Sequence, residues 1–207
     1  MKGLLIKDFY QMQSYLRVFL VVVLFCVLAG FSNEDAVFMT YYPAILMGML
    51  PITMYAYDEK EKFLKLLSAL PIKKRTYVTE KYVFGFLMVL MACTATGTVQ
   101  AIKMGMDGSF VLTDFALLMT MPLAIGIVAP SIVLPLIFLL GTEKGRFVNI
   151  LVMVIALSFI KVFMDLGSDF RVIIDAKQMV FLMLGAAVLI YFISWLITSM
   201  IFEKKEY

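Results

Sequence analysis

The chain has no histidine, only two cysteines and one tryptophan, and little charge: Asp, Glu, Lys and Arg make up 16% of its 207 residues. Each shortage closes a class of function. Histidine is the usual general base and metal ligand near neutral pH, and no carboxylates gather at metal-ligand spacing. Hydrolytic and metal catalysis are therefore not expected. Cys26 and Cys93 both fall inside apolar runs, where two isolated thiols make neither a disulfide framework nor a metal site. No stretch reads G-x-x-x-x-G-K-[ST]. The nearest, Gly141-Thr142-Glu143-Lys144-Gly145-Arg146, lacks the spacing and the hydroxyl after lysine, so the chain is not expected to be its own ATPase or to bind a cofactor itself. The net charge, +3 from 18 basic and 15 acidic residues, is too small to argue for nucleic acid.

What is abundant is apolar. Hydrophobic and aromatic residues are 63% of the chain, and the mean hydropathy is +0.97. A soluble domain is about 45–50% apolar and about 25% charged, so a soluble enzyme is excluded. Disorder is excluded by the same richness in aromatic and branched residues. An all-α membrane protein remains. A crossing helix needs about 20 apolar residues, and six stretches qualify: Leu16–Phe31, Ala36–Tyr57, Tyr82–Ile102, Phe115–Leu140, Phe147–Met164 and Met179–Phe202. The whole of 1–207 then reads as one transmembrane domain. A cleaved signal peptide over 1–30 is disfavoured, because the lead is long, contains Asp8 and is followed by no small-x-small cleavage site.

Six spans place both termini on one side, and the basic residues choose the side. Lys2, Lys7 and Arg17, the run from Lys60 to Lys81, Lys144 and Arg146, and Lys204 and Lys205 share one face, fourteen of the 18. The positive-inside rule puts that face, and both termini, in the cytoplasm.

Two amphipathic pieces stand out. In 2–17, KGLLIKDFYQMQSYLR, the residues Leu5, Phe9, Met12 and Leu16 recur on one helical face. The spacing predicts a helix lying in the headgroup layer; a plain extension of the first span is the alternative. In 58–70, DEKEKFLKLLSAL, the stripe is Phe63, Leu66, Leu67 and Leu70. Asp58 and Glu59 are expected to open this helix, in keeping with the macrodipole, and Pro71 to end it. A solvated connector resting on lipid headgroups would explain much of this. Its two charge signs, however, suit a groove on a protein better than a purely basic lipid anchor would.

Polar residues within the spans are few. Thr94, Thr96, Thr98 and Gln100 form a patch in the third span, where threonines are commonly packing glue. Pro122, Pro130 and Pro135 imply kinks or breaks in the fourth. Irregular backbone at that depth has to face protein or a water-filled cavity. Lys161, with Asp165 four residues on, reads as a snorkelling lysine first and a substrate contact second. Thr94, Thr98, Gln100, Pro130 and Lys161 are thus the candidates for a transport pathway.

The stretch Tyr57-Asp58-Glu59-Lys60, Ser68-Ala69-Leu70-Pro71, Lys74-Arg75, Val78 and Lys81-Tyr82 resembles the cytoplasmic loop of bacterial type-2 ABC transporter permeases. The opening Lys2-Gly3-Leu4-Leu5-Ile6-Lys7-Asp8-Phe9 is similar to their N-terminus. The resemblance implies six spans, an N-terminal elbow helix, and a coupling helix after span two that grips a separate ATP-binding-cassette subunit carrying ATP and Mg. Carried over, Asp58, Glu59, Lys60, Glu61, Phe63, Leu67 and Leu70 would be the contacts. It further implies a second permease subunit, homo- or heterodimeric, a bacterial inner membrane, and export of an amphipathic peptide or other hydrophobic substrate. The re-entrant element that many members carry between spans five and six would be reduced here. A membrane anchor that binds a cytoplasmic partner without transport is the competing expectation, and a secondary transporter the third.

Overall fold

The computed structural model describes residues 2–32, 37–70, 73–106, 108, 111–142, 145, 147, 150, 151, 154, 155, 158 and 176–204. Among them there are seven helices and no strand: α1 (Lys2–Ser32), α2 (Val37–Gly48), α3 (Leu50–Lys60), α4 (Phe63–Ala69), α5 (Lys74–Met106), α6 (Leu112–Leu140) and α7 (Ala176–Lys204). Three described stretches are long and apolar enough to cross a membrane: α5, α6 and the part of α7 over Phe181–Lys204. The expected span 147–164 falls largely outside the described residues, and Lys161 lies wholly outside them.

The remaining expected spans take forms that hydropathy alone does not give. The amphipathic lead 2–17 and the run 16–31 are one uninterrupted helix. Its inward line matches the expected stripe only in part: Leu4, Asp8 and Met12 are buried at i, i+4 and i+8, Leu5 is half-buried against the cluster that holds Met12, and Phe9 is exposed. The second span is two helices. Pro43 sits within α2, and Pro51 occupies the first turn of α3, where its missing N–H would lack a helical partner anyway. At the join the Met49 amide is shared between the carbonyls of Ile45 and Leu46, at 3.1 and 3.2 Å.

Because α3 starts at Leu50, Asp58, Glu59 and Lys60 are its last turn and do not open a new helix. The 58–70 segment is therefore a bent pair, not one capped helix. The chain turns through Glu61 and Lys62, the latter left-handed at φ 57°, and the amide of Lys62 donates to the Glu59 carbonyl. The short α4 follows with no side-chain cap, and Leu70 is extended at φ −89°, ψ 147°. That last conformation is the one Pro71 imposes on its predecessor.

The third span is longer than expected. At 33 residues and 1.5 Å per residue, α5 is about 50 Å long, against about 30 Å of hydrocarbon, so its ends project. The fourth span holds its three prolines without breaking: α6 is helical throughout Leu112–Leu140. Each proline still lacks the donor for the carbonyl four residues back, which frees Leu118, Gly126 and Ser131. The Ser131 carbonyl accepts instead from the Ser194 hydroxyl of α7 at 2.5 Å.

The main core lies where α3, α4, the start of α5, the end of α6 and the end of α7 converge. It is aromatic. Tyr55 and Phe138 are 4.3 Å apart, Tyr77 stacks on Phe202 at 5.5 Å, and Phe138 meets Phe202 edge-on at 5.1 Å. This core puts a floor beneath α4 and holds the charged residues described next.

Candidate functional site

Five ionisable side chains from three helices meet against that aromatic floor. Lys7 and Asp8 come from α1, Asp58 from the last turn of α3, and Glu80 and Lys81 from the first turns of α5. Asp8, Glu80 and Lys81 are wholly buried, Asp58 is 1% exposed, and the Lys7 side chain reaches solvent at 28%. The Lys81 ammonium is the centre. It lies 2.5 Å from Asp8 Oδ2 and 2.9 Å from Asp58 Oδ2, with Glu80 Oε2 farther off at 3.7 Å. Lys7 hydrogen-bonds Asp58 Oδ1 and stands 3.2 Å from Asp8 Oδ1. Tyr77 donates its hydroxyl proton to Asp58 Oδ2 at 2.6 Å.

Apart from Glu80, neither of whose buried oxygens has a hydrogen-bond donor among the described residues, the charges are arranged to support one another. A carboxylate in the last turn of a helix opposes the macrodipole, so Asp58 needs cations close by. Burial alone would raise its carboxyl. Lys81, the Lys7 hydrogen bond and the Tyr77 hydroxyl outweigh that and hold it below its ordinary value. Lys7 also lies 4.1 Å over the Phe63 ring at the start of α4, so the cluster touches α4 as well.

Above it, α4 presents a surface. Leu64 and Leu67 point into the core, at 4% exposure each, and Phe63 is half-buried. Leu66 is 55% exposed and Leu70 39%, and both are ringed by exposed Lys60, Glu61, Lys62 and Lys65. The expected contact residues thus divide. Lys60, Glu61 and Leu70 face outward, and Phe63 is on the rim. Asp58 and Leu67 face inward, and Glu59 accepts from the Thr142 amide at 3.0 Å, binding the end of α3 to the chain just past α6.

Among the described residues the pathway candidates do not gather into one site; Lys161 lies outside them. Thr94 and Thr98 lie on the outward face of α5, with their hydroxyls on the Met91 and Ala95 carbonyls of the same helix. Pro130 is buried in α6. The polar group the structure does assemble among the long helices was not among those expectations: Tyr82, Ser131, Ser194 and Thr198. The Tyr82 hydroxyl oxygen is 2.7 Å from both Ser194 Oγ and Thr198 Oγ1. With Ser194 donating to the carbonyl that Pro135 frees and Thr198 to the Ser194 carbonyl of its own helix at 2.8 Å, Tyr82 donates to one of the two hydroxyl oxygens and stands between them in the chain. Tyr82→Phe removes the middle of that chain. The expected result is a loss of about 1 kcal/mol in detergent, read from thermal unfolding, with the helical circular dichroism unchanged.

Asp8, Lys81 and Tyr77 were also missed as a group. One signal was legible: Asp8 sits four residues from Leu4 and four from Met12, so a carboxylate interrupts an inward line. A carboxylate there requires a buried cation.

No curated protein sequence and no solved structure gives a significant match to this chain. A family model described as "ABC-2 family transporter protein" matches it over residues 3–203. That match takes in α1 with its cluster residues, the α3–α4 bend and all three long apolar helices, and the chain belongs to the ABC-2 family of transporter membrane proteins.

Proposed function

We propose that this chain is the membrane subunit of an ATP-driven exporter, energised by separate ATP-binding-cassette subunits that dock on the Lys60–Leu70 surface. The observation that carries the reading is the placement of that surface. Two exposed leucines in a ring of both charge signs stand on a short helix anchored from below by the aromatic core and by Lys7 over Phe63. Such a patch suits a protein groove, and family membership supplies the kind of partner. ATP and Mg belong to that partner. In this reading the docking face and both termini are cytoplasmic, in a bacterial inner membrane. A second permease subunit closes the outward face of α5 that carries Thr94 and Thr98, and an amphipathic peptide or other hydrophobic substrate passes between the two. Gln100, Pro130 and Lys161 are further pathway candidates.

Leu67 is too deeply packed to test docking without disturbing the core. Leu66 and Leu70 serve instead. Leu66→Asp with Leu70→Asp will weaken binding to a co-expressed partner cassette ATPase by roughly thirty-fold or more, the scale of a lost interface anchor. The thermal unfolding of the permease will stay in place. Undiminished co-purification and ATP-driven flux in vesicles would refute the docking surface. Wild-type binding without any flux would point to a membrane anchor.

A further inference from the structure

We propose that Lys81 is a positioning residue: through its two buried carboxylate partners it makes the N-terminal helix α1 follow the α3–α4 segment, so that a displacement of one carries the other. The proposal deepens the docking reading and rests on it for the origin of the displacement.

Apolar contact alone would not link the two elements. Hydrophobic burial is non-directional and scales with area, so an apolar α1 can slide or turn along its neighbours while keeping most of its burial. Leu4 and Met12 provide contact of that sort. A buried ion pair behaves differently, because separating opposite charges where water cannot replace the partner is costly even over short distances. Here the wholly buried Lys81 ammonium holds Asp8 of α1 at 2.5 Å and Asp58 of α3 at 2.9 Å. Lys7, next to Asp8, crosses to the other Asp58 oxygen and caps the Phe63 ring of α4. Movement of α3 relative to α1 would pull apart two sets of contacts at once. The Tyr77 hydroxyl on Asp58 fastens the same carboxylate to α5.

The test uses the full-length permease in lipid nanodiscs, with Cys26 and Cys93 replaced by alanine and spin labels at Tyr10 on α1 and Leu66 on α4. Both positions are exposed. With neither ATPase nor nucleotide present, the intact cluster gives one narrow distance. The triple variant Asp8→Asn, Asp58→Asn, Lys81→Met removes the three charges that link α1, α3 and α5; Lys7 can turn to solvent, and the buried Glu80, left without its cation, takes up a proton. The expected result is a broadened distance or a second, longer one, at an unchanged unfolding temperature. A single narrow distance in the triple variant would overturn the linkage. This result does not depend on whether an ATPase binds, so it is separable from the co-purification experiment. For the arm with ATPase and ATP added to the unaltered cluster, the Leu66 label is moved to the half-buried Ala56 on α3, off the docking face: the Tyr10–Ala56 distance will hold while the distance from Ala56 to a label at Phe181 on α7 changes. A nucleotide-dependent Tyr10–Ala56 distance would equally overturn the proposal, whatever the triple variant does. In vesicles, the triple variant will retain ATPase binding and hydrolysis and lose ATP-driven flux.

Discussion

Lys81→Met, made alone, will cost the detergent-solubilised protein about 3–5 kcal/mol, the usual result of removing one partner from a buried ion pair. The side chains are of similar length, so packing changes little. What changes is charge. Asp8 is left wholly buried with Lys7 as its cation, and Asp58 keeps only Lys7 and the Tyr77 hydroxyl. Asp8→Asn added to Lys81→Met will restore part of the loss, since one buried carboxylate is then gone. A double-mutant cycle on these two positions will show a coupling well above the few tenths of a kcal/mol expected of independent sites. Additive losses would mean that the two side chains do not share a cluster. Acid acts on the same contacts. The Asp58 carboxyl lies below its ordinary value in the folded protein, so its contribution is present above the unfolded value of about 4. It is lost as pH falls through the lower folded value. In Lys81→Met the main cation holding it down is absent, and that acid transition will move to higher pH.

These effects also show where sequence reasoning reached and where it stopped. Long apolar runs locate α5, α6 and α7, because a helix that meets lipid must be apolar along its whole length. Pro71 ends α4, because the clash it creates is local and indifferent to tertiary context. The α3–α4 bend was not legible. Its charge pattern from Asp58 onward reads well as a new helix, yet α3 has already begun at Leu50 with Pro51 in its first turn. Helix propagation is easier than nucleation, so the residues expected to open one helix finish another. The cluster was hidden for a different reason. Asp8, Asp58 and Lys81 are 50 and 23 residues apart along the chain, and each looks like a solvated charge beside a span. Only their convergence on the Tyr77 face of α5 makes them partners.

The crossing of α2 with α6 carries the other large expectation. Gly48→Val will destabilise the protein by about 3 kcal/mol or more, at or beyond the upper end of ordinary overpacking. A Cβ at Gly48 would run into the Gly126 carbonyl oxygen and stand 3.2 Å from a Val89 methyl. The oxygen is backbone and cannot rotate away. It belongs to the carbonyl that Pro130 deprives of its helical donor, on a line of α6 that places Pro122, Gly126 and Pro130 four residues apart. The fit is reciprocal, since a Cβ at Gly126 would meet Val89 at 2.8 Å and the Ala44 carbonyl oxygen at 3.1 Å. Ala44 and Gly48 are themselves four apart on α2, the small-residue spacing that lets membrane helices approach closely. Gly48→Ala will already be destabilising, and adding Gly126→Ala will not be additive, because each new methyl group moves the helix the other one needs. Gly185 is the control: nothing lies within 4 Å of a Cβ there, so Gly185→Ala will leave stability unchanged or raise it by up to about 1 kcal/mol through helix propensity. Thermal unfolding of the four variants in one detergent decides the matter. Equal unfolding temperatures for Gly48→Val and Gly185→Ala would mean that α2 and α6 do not approach at this point, and that Pro130 shapes α6 for some purpose other than receiving α2.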